Sequence, residues 1–151
     1  MDGILNHVIT LKNGEKVINT CPHSFTFDDG TEVPPCGITL NCDFMSREID
    51  LYDNADGDIV VTTITNAKVP EKDGLAFLNE IKRESVISGR IWVLGSANAA
   101  EAYGFPVVAT VPTVGTTLLM GMARKEGRRL TSEEMAMRRV RSDQFSLPNH
   151  K

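Results

Sequence analysis

Two clusters in this chain carry side chains of the types that hold anions. The first is Gly95-Ser96-Ala97-Asn98, where the apolar run Ile91–Leu94 gives way to an Ala-rich stretch. At a helix start, free backbone N–H groups and the macrodipole favour negative charge. Small residues there let a ligand approach closely, and the Asn98 amide both donates and accepts, as a ribose hydroxyl or purine edge requires. The spacing is neither G-x-G-x-x-G nor the G-x-x-x-x-G-K of a P-loop. The second cluster spans Arg124–Arg141, with seven basic residues (Arg124, Lys125, Arg128, Arg129, Arg138, Arg139, Arg141) against three acidic ones. Guanidinium groups bind phosphate bidentately and stack on base planes. Phe145 or Trp92 can supply an aromatic platform beside them.

Groups able to do more than bind are sparse. Cys21 and His23 sit in "CPH", with Cys36 and Cys42 downstream, but no C-x-x-C pair occurs and the spacing is poor for zinc. Reduced thiols and no metal are therefore expected. His7, His23 and His150 are the three histidines, and none stands in an H-x-T or H-x-S pair. Most carboxylates of the first half fall in turns such as "DDG" and "NADGD", where they serve turn formation and solubility. The expectation is a binding protein, with no catalytic residues and no cofactor.

Charge is uneven along the 151 residues. Met1–Leu75 carries 5 Lys+Arg against 13 Asp+Glu, and Ala76–Lys151 carries 11 against 7, which together give the net charge of −4. An acidic body disfavours general nucleic-acid binding, which needs a broadly basic surface. A local basic cluster on such a body suits one compact anionic ligand. No stretch approaches the ~20 apolar residues of a membrane span, and "MDGILNHV" has no signal-peptide pattern. A cytoplasmic domain of one core is expected over residues 1–151.

The elements that must position these residues read as α+β: an antiparallel β-rich first half and short helices in the second. "ILNHVITL" and "KVINT" flank an Asn-Gly signal for a two-residue hairpin turn. "SFTF" and "REIDLYD"/"DIVVTTIT" are further strands between Gly-containing turns, suggesting a twisted meander or small barrel. After Pro70, Asp73 can cap a helix with Leu75, Leu78 and Ile81 or Lys82 on one face and Phe77 near it. Ser96 is a natural N-cap for a two-turn helix that Gly104 stops. Gly115 and Gly121 point to a loop or a broken element in "PTVGTTLLMGMARKEGRRL". Thr131 and Glu134 form a capping box opening a last helix that carries the arginines, before an extended tail.

The run "WVLGSANAAEAYGFPVVATVP", a loop, and then "SEEMAMRRVRSDQFS" resembles a family of small phage anti-Thoeris sponge proteins. The resemblance covers about the last sixty residues. Val140 and Gln144 stand where the family's last segment has Met and Lys, and the intervening loop is longer. It implies a phage anti-defence protein in the cytoplasm of the infected bacterial host. Such a protein binds cyclic ADP-ribose isomers, and in related members cyclic oligonucleotides of CBASS defence, without cleaving them. Ser96, Asn98, Ala99 and Ala100 match the helix start, and Arg141, Asp143 and Phe145 match the last segment. Of these, Ser96, Asn98, Arg141 and Phe145, together with Arg124, Arg128, Arg138 and Arg139, make the expected ligand-binding set. A pocket shared across a two-fold interface would let so short a chain enclose such a ligand, so a dimer-based homo-oligomer, up to a hexamer, is expected.

Overall fold

The computed structural model describes the backbone of residues 6–53 and 60–147, and side chains outside 42–69. The "NADG" turn at 54–57 and His150 lie outside the described residues.

The fold is α+β. A five-stranded sheet runs in the order β1 (Ile9–Thr10), β2 (Lys16–Asn19), β7 (Ile91–Leu94), β8 (Val107–Pro112), β9 (Val140–Ser146). The hairpin expected between β1 and β2 is present, but it does not continue into a meander, and "GITLNC", a further strand by its pattern, has no strand over residues 37–41. β2 lies parallel to β7 and β7 parallel to β8, while the edge strands β1 and β9 are antiparallel. Residue alternation explains the arrangement. On β7, Ile91 and Val93 face one way and Trp92 and Leu94 the other, and all but Trp92 are buried. A strand apolar on both faces must be covered on both, which places it at the centre of a sheet.

One face is covered by helices α1 (Lys72–Ser88) and α2 (Ala97–Tyr103), packing Phe77, Leu78, Ile81, Ala99 and Ala100 against Ile18, Ile91, Val93 and Val107. The other is covered by the hairpin of β3 (Phe25–Thr26) and β4 (Glu32–Val33). It sets Phe27 and Val33 against Val17, Leu94 and Val108. A separate two-stranded ribbon, β5 (Cys42–Asp53) with β6 (Val60–Pro70), lies between β4 and α1 in the chain.

Several local expectations are corrected. The β1–β2 loop is not a two-residue turn: Leu11 N–H bonds Glu15 O, leaving Lys12-Asn13-Gly14 between them with Gly14 at φ 92. The Asn13 side chain stabilises this longer loop by accepting from Glu15 N at 3.0 Å. Helix α1 has no side-chain cap; its N-cap is Glu71, and Asp73 lies in the first turn. Its packed face centres on Phe77 and Ile81, leaving Leu75 exposed, because Gly74 must sit against the Tyr103 ring. The Tyr103 hydroxyl then accepts from Glu71 N and donates to Asn41 O.

The ambiguous Gly-containing segment is a helix, α3 (Val114–Lys125). Thr113 caps it by accepting from Thr116 N, and Thr116 and Ala123 are buried beneath it. Gly115 and Gly121 face open space, so their weak propensity is offset by capping and docking. The capping box does open helix α4 with Thr131 and Glu134, but α4 ends at Ala136. Arg138 and Arg139 lie beyond it and Arg141 lies on β9, so they are not presented from one helix end.

Candidate functional site

The carboxyl ends of parallel strands are where open α/β sheets gather ligand-binding loops. Here β2, β7 and β8 deliver three such loops to one edge of the sheet.

The loop after β2 is fixed by Asn19, which is wholly buried. Its Nδ2 donates to His23 O at 2.8 Å and Val33 O at 3.1 Å, and its Oδ1 accepts from Cys21 N at 2.8 Å. One amide thus closes the turn and ties it to β4. The His23 ring meets Phe25 edge to face, centroids 4.9 Å apart.

The loop after β8 leads through Thr113 into α3. Thr113 N donates to Arg139 O at 3.1 Å, and Arg139 N donates to Thr116 Oγ1 at 2.7 Å. This pair staples the start of α3 to the start of β9. It brings Arg138 and Arg139 to a pocket of about 390 Å³ shared with His23, Phe25, Thr116 and Met120. Arg139 Nη1 is held by the carbonyls of Ala136 and Arg138, each at 2.8 Å. Arg138 is exposed, and among the described residues its guanidinium has no hydrogen-bond or ion-pair partner. Hydroxyls of Ser24, Thr26 and Thr110 complete the polar wall. Two cations, several hydroxyls and an aromatic pair in one concavity can hold an anion with a flat, polar body.

The remaining expected residues stand elsewhere. Ser96 caps its own helix, Oγ accepting from Ala99 N at 3.1 Å, and does not line this pocket. Asn98 is exposed beside it. Gly95 answers to packing: a Cβ there would stand 3.0 Å from Val107 Cγ1 and 3.3 Å from Ala99 Cβ. Arg128 is gripped by Glu126 and by both carboxylate oxygens of Glu134. Those hydrogen bonds raise the Arg128 pKa and, with the Thr131 backbone, hold Glu134 down at about 2. Arg141 forms a two-point bond with Asp143 at 2.9 Å, which raises the arginine's pKa and lowers the aspartate's. Arg124 is exposed in the last turn of α3. Phe145 joins Trp92 in a different groove, ring centroids 5.3 Å apart.

His23, Phe25, Thr116 and Met120 carry no local signal for this pocket, apart from the T-x-x-T cap at Thr113–Thr116. Among the described residues no three His, Cys, Asp or Glu side chains cluster as a metal site. Cys21 and Cys36 are free and buried, and burial pushes the Cys21 thiol up to about 11, so it stays protonated at neutral pH. No described helix is long and apolar enough to cross a membrane. The chain matches no family model, no curated protein and no solved structure.

Proposed function

We propose that the protein binds a compact phosphate-bearing nucleotide signal of the cyclic ADP-ribose class and keeps it intact. In this reading it is a phage anti-defence sponge acting in the cytoplasm of an infected bacterium. Cyclic oligonucleotides are the second ligand class, and no cofactor or metal takes part. The observation that carries the reading is the pairing of Arg138 and Arg139 in one pocket while Arg128 and Arg141 are occupied by carboxylates. Cations left for a ligand, rather than spent on the protein's own acids, are what a phosphate site needs. The volume lies at the lower end of the range for small-molecule sites.

A homo-oligomer belongs to this proposal. Helix α3 turns Thr116 and Met120 toward the pocket and presents Val114, Leu118 and Met122 to solvent on another face, 73%, 63% and 56% exposed. An apolar stripe at i, i+4, i+8 spacing is a surface that a second copy would cover. A partner seated there would stand next to the ligand pocket and help close it.

Capture is tested by incubating the protein with excess cyclic ADP-ribose isomers and cyclic oligoadenylates, filtering, and heating the retained protein. The filtrate loses signal, and the heated fraction returns it unchanged in proportion to the number of sites. His23, which lines the pocket, favours hydrolysis of the same ligand as the second reading. A linear product that accumulates with time would select it. A protein that retains nothing would instead be a structural or adaptor protein whose arginines face a protein partner.

A further inference from the structure

Away from the arginine pocket, β9 ends in a groove of about 460 Å³ floored by Trp92, Phe105, Phe145 and Leu147. Val140 lines the first pocket and Phe145 the second, so the two are about 16 Å apart at ~3.3 Å per strand residue. Trp92 is the hub: it stands edge-on to Phe105, centroids 5.6 Å apart, and tilted against Phe145 at 5.3 Å. Its indole Nε1 donates to Glu15 Oε2 at 2.8 Å. Among the described residues this is the only donor to the Glu15 carboxylate, whose other oxygen has no partner and whose charge meets no Lys or Arg. Asp143, also on the rim, is neutralised by Arg141. The groove therefore joins aromatic rings to one carboxylate that, among the described residues, has no ion-pair partner.

From this we infer a second ligand site, for a small organic cation of the alkylated-ammonium kind. The electron-rich faces of aromatic rings attract such cations, and a nearby carboxylate adds the matching charge. The rings already show this affinity within the molecule. The Arg90 guanidinium lies 5.3 Å from the Trp92 centroid and 5.8 Å from that of Phe105, though it is not part of the groove wall. The site is opposite in charge preference to the arginine pocket and stands whether or not that pocket binds nucleotides.

The chain has one tryptophan, so its emission reports on this groove alone. Tetramethylammonium and choline are titrated against the wild-type protein, with the neutral isostere 3,3-dimethylbutan-1-ol as control. The cations change Trp92 emission saturably in the millimolar range, and the neutral alcohol binds at least about tenfold more weakly. Glu15→Gln keeps an acceptor for the indole N–H while removing the charge, and weakens the cations about tenfold with an unchanged circular dichroism spectrum. Arg90→Gln removes a competing like charge and tightens them. An unsaturable response, equal response to the alcohol, undiminished affinity in Glu15→Gln, or weakened affinity in Arg90→Gln would each overturn the assignment.

Discussion

Thr116 and Arg139 meet through one buried hydroxyl: Thr116 Oγ1 accepts the Arg139 N–H at 2.7 Å while Thr113 Oγ1 lies 3.1 Å from it. Thr116 is 5% exposed, which limits the access of water to this bond. Thr116→Val is isosteric but leaves the Arg139 amide unpaired, and is expected to cost about 1–3 kcal/mol in denaturant unfolding. Affinity for the captured nucleotide falls with it, because the two arginines lose their anchor. Thr116→Ser restores both, a rescue that a purely volumetric role would not produce.

If the proposed nucleotide binding holds, Arg138→Glu is expected to abolish it in calorimetry while the melting temperature stays close to that of wild type. The side chain is exposed and, among the described residues, makes no hydrogen bond or ion pair that the fold would miss. Losing a charge-assisted contact of about 1.5–3 kcal/mol corresponds to roughly ten- to a hundredfold in affinity, and reversal adds repulsion. Arg124→Glu, outside the pocket, weakens binding far less. Wild-type affinity in Arg138→Glu would remove the basis of the proposed site.

Glu134 makes the Arg128 corner acid-sensitive. Its folded pKa of about 2 lies below the ordinary 4.5 because Arg128 and the Thr131 backbone hydrogen-bond the charged form. The stabilisation is complete above pH 4.5 and fades as pH falls toward 2, where the folded carboxylate gains its proton. Glu134→Gln removes this part of the acid dependence, as read by the difference in melting temperature between pH 6 and pH 3. Parallel acid profiles for the two proteins would show that the pair is screened by solvent and contributes nothing.

Gly74→Ala is expected to destabilise by about 1–3 kcal/mol, since its Cβ would enter the Tyr103 ring and the backbone cannot retreat within α1. Chemical denaturation measures this, and unfolding at the wild-type midpoint would show that Tyr103 can move aside at no cost.

Leu118→Asp places a charge at the middle of the exposed α3 stripe. Light scattering is expected to give a multiple of 16.6 kDa for the wild type and 16.6 kDa for the variant. A wild-type monomer at micromolar concentration would refute the oligomer.

Local chemistry was legible in the chain because it depends on neighbours within four residues. Ser96 caps α2, Thr131 and Glu134 build the box of α4, Gly104 ends a helix at φ 71, and the hairpin partners of β1–β2 follow one another; the β3–β4 pair did not show, because Glu32 reads as part of the turn. From these the α+β class could be read. The two glycines of α3 leave its sequence ambiguous between a loop and a broken element, and what makes it a helix is burial of Thr116 and Ala123 against the rest of the fold. The pairing of β2 with β7, more than seventy residues on, follows from covering an apolar strand on both faces, which no short window contains. Tertiary structure also sorted the arginines. All of them look alike in sequence, yet Arg128 and Arg141 find carboxylates within six residues, while Arg138 and Arg139 are carried to His23 and Phe25 by a staple to α3. Charge composition set a basic cluster on an acidic chain; which of its guanidinium groups are paired with carboxylates depended on where the folded backbone set the acids.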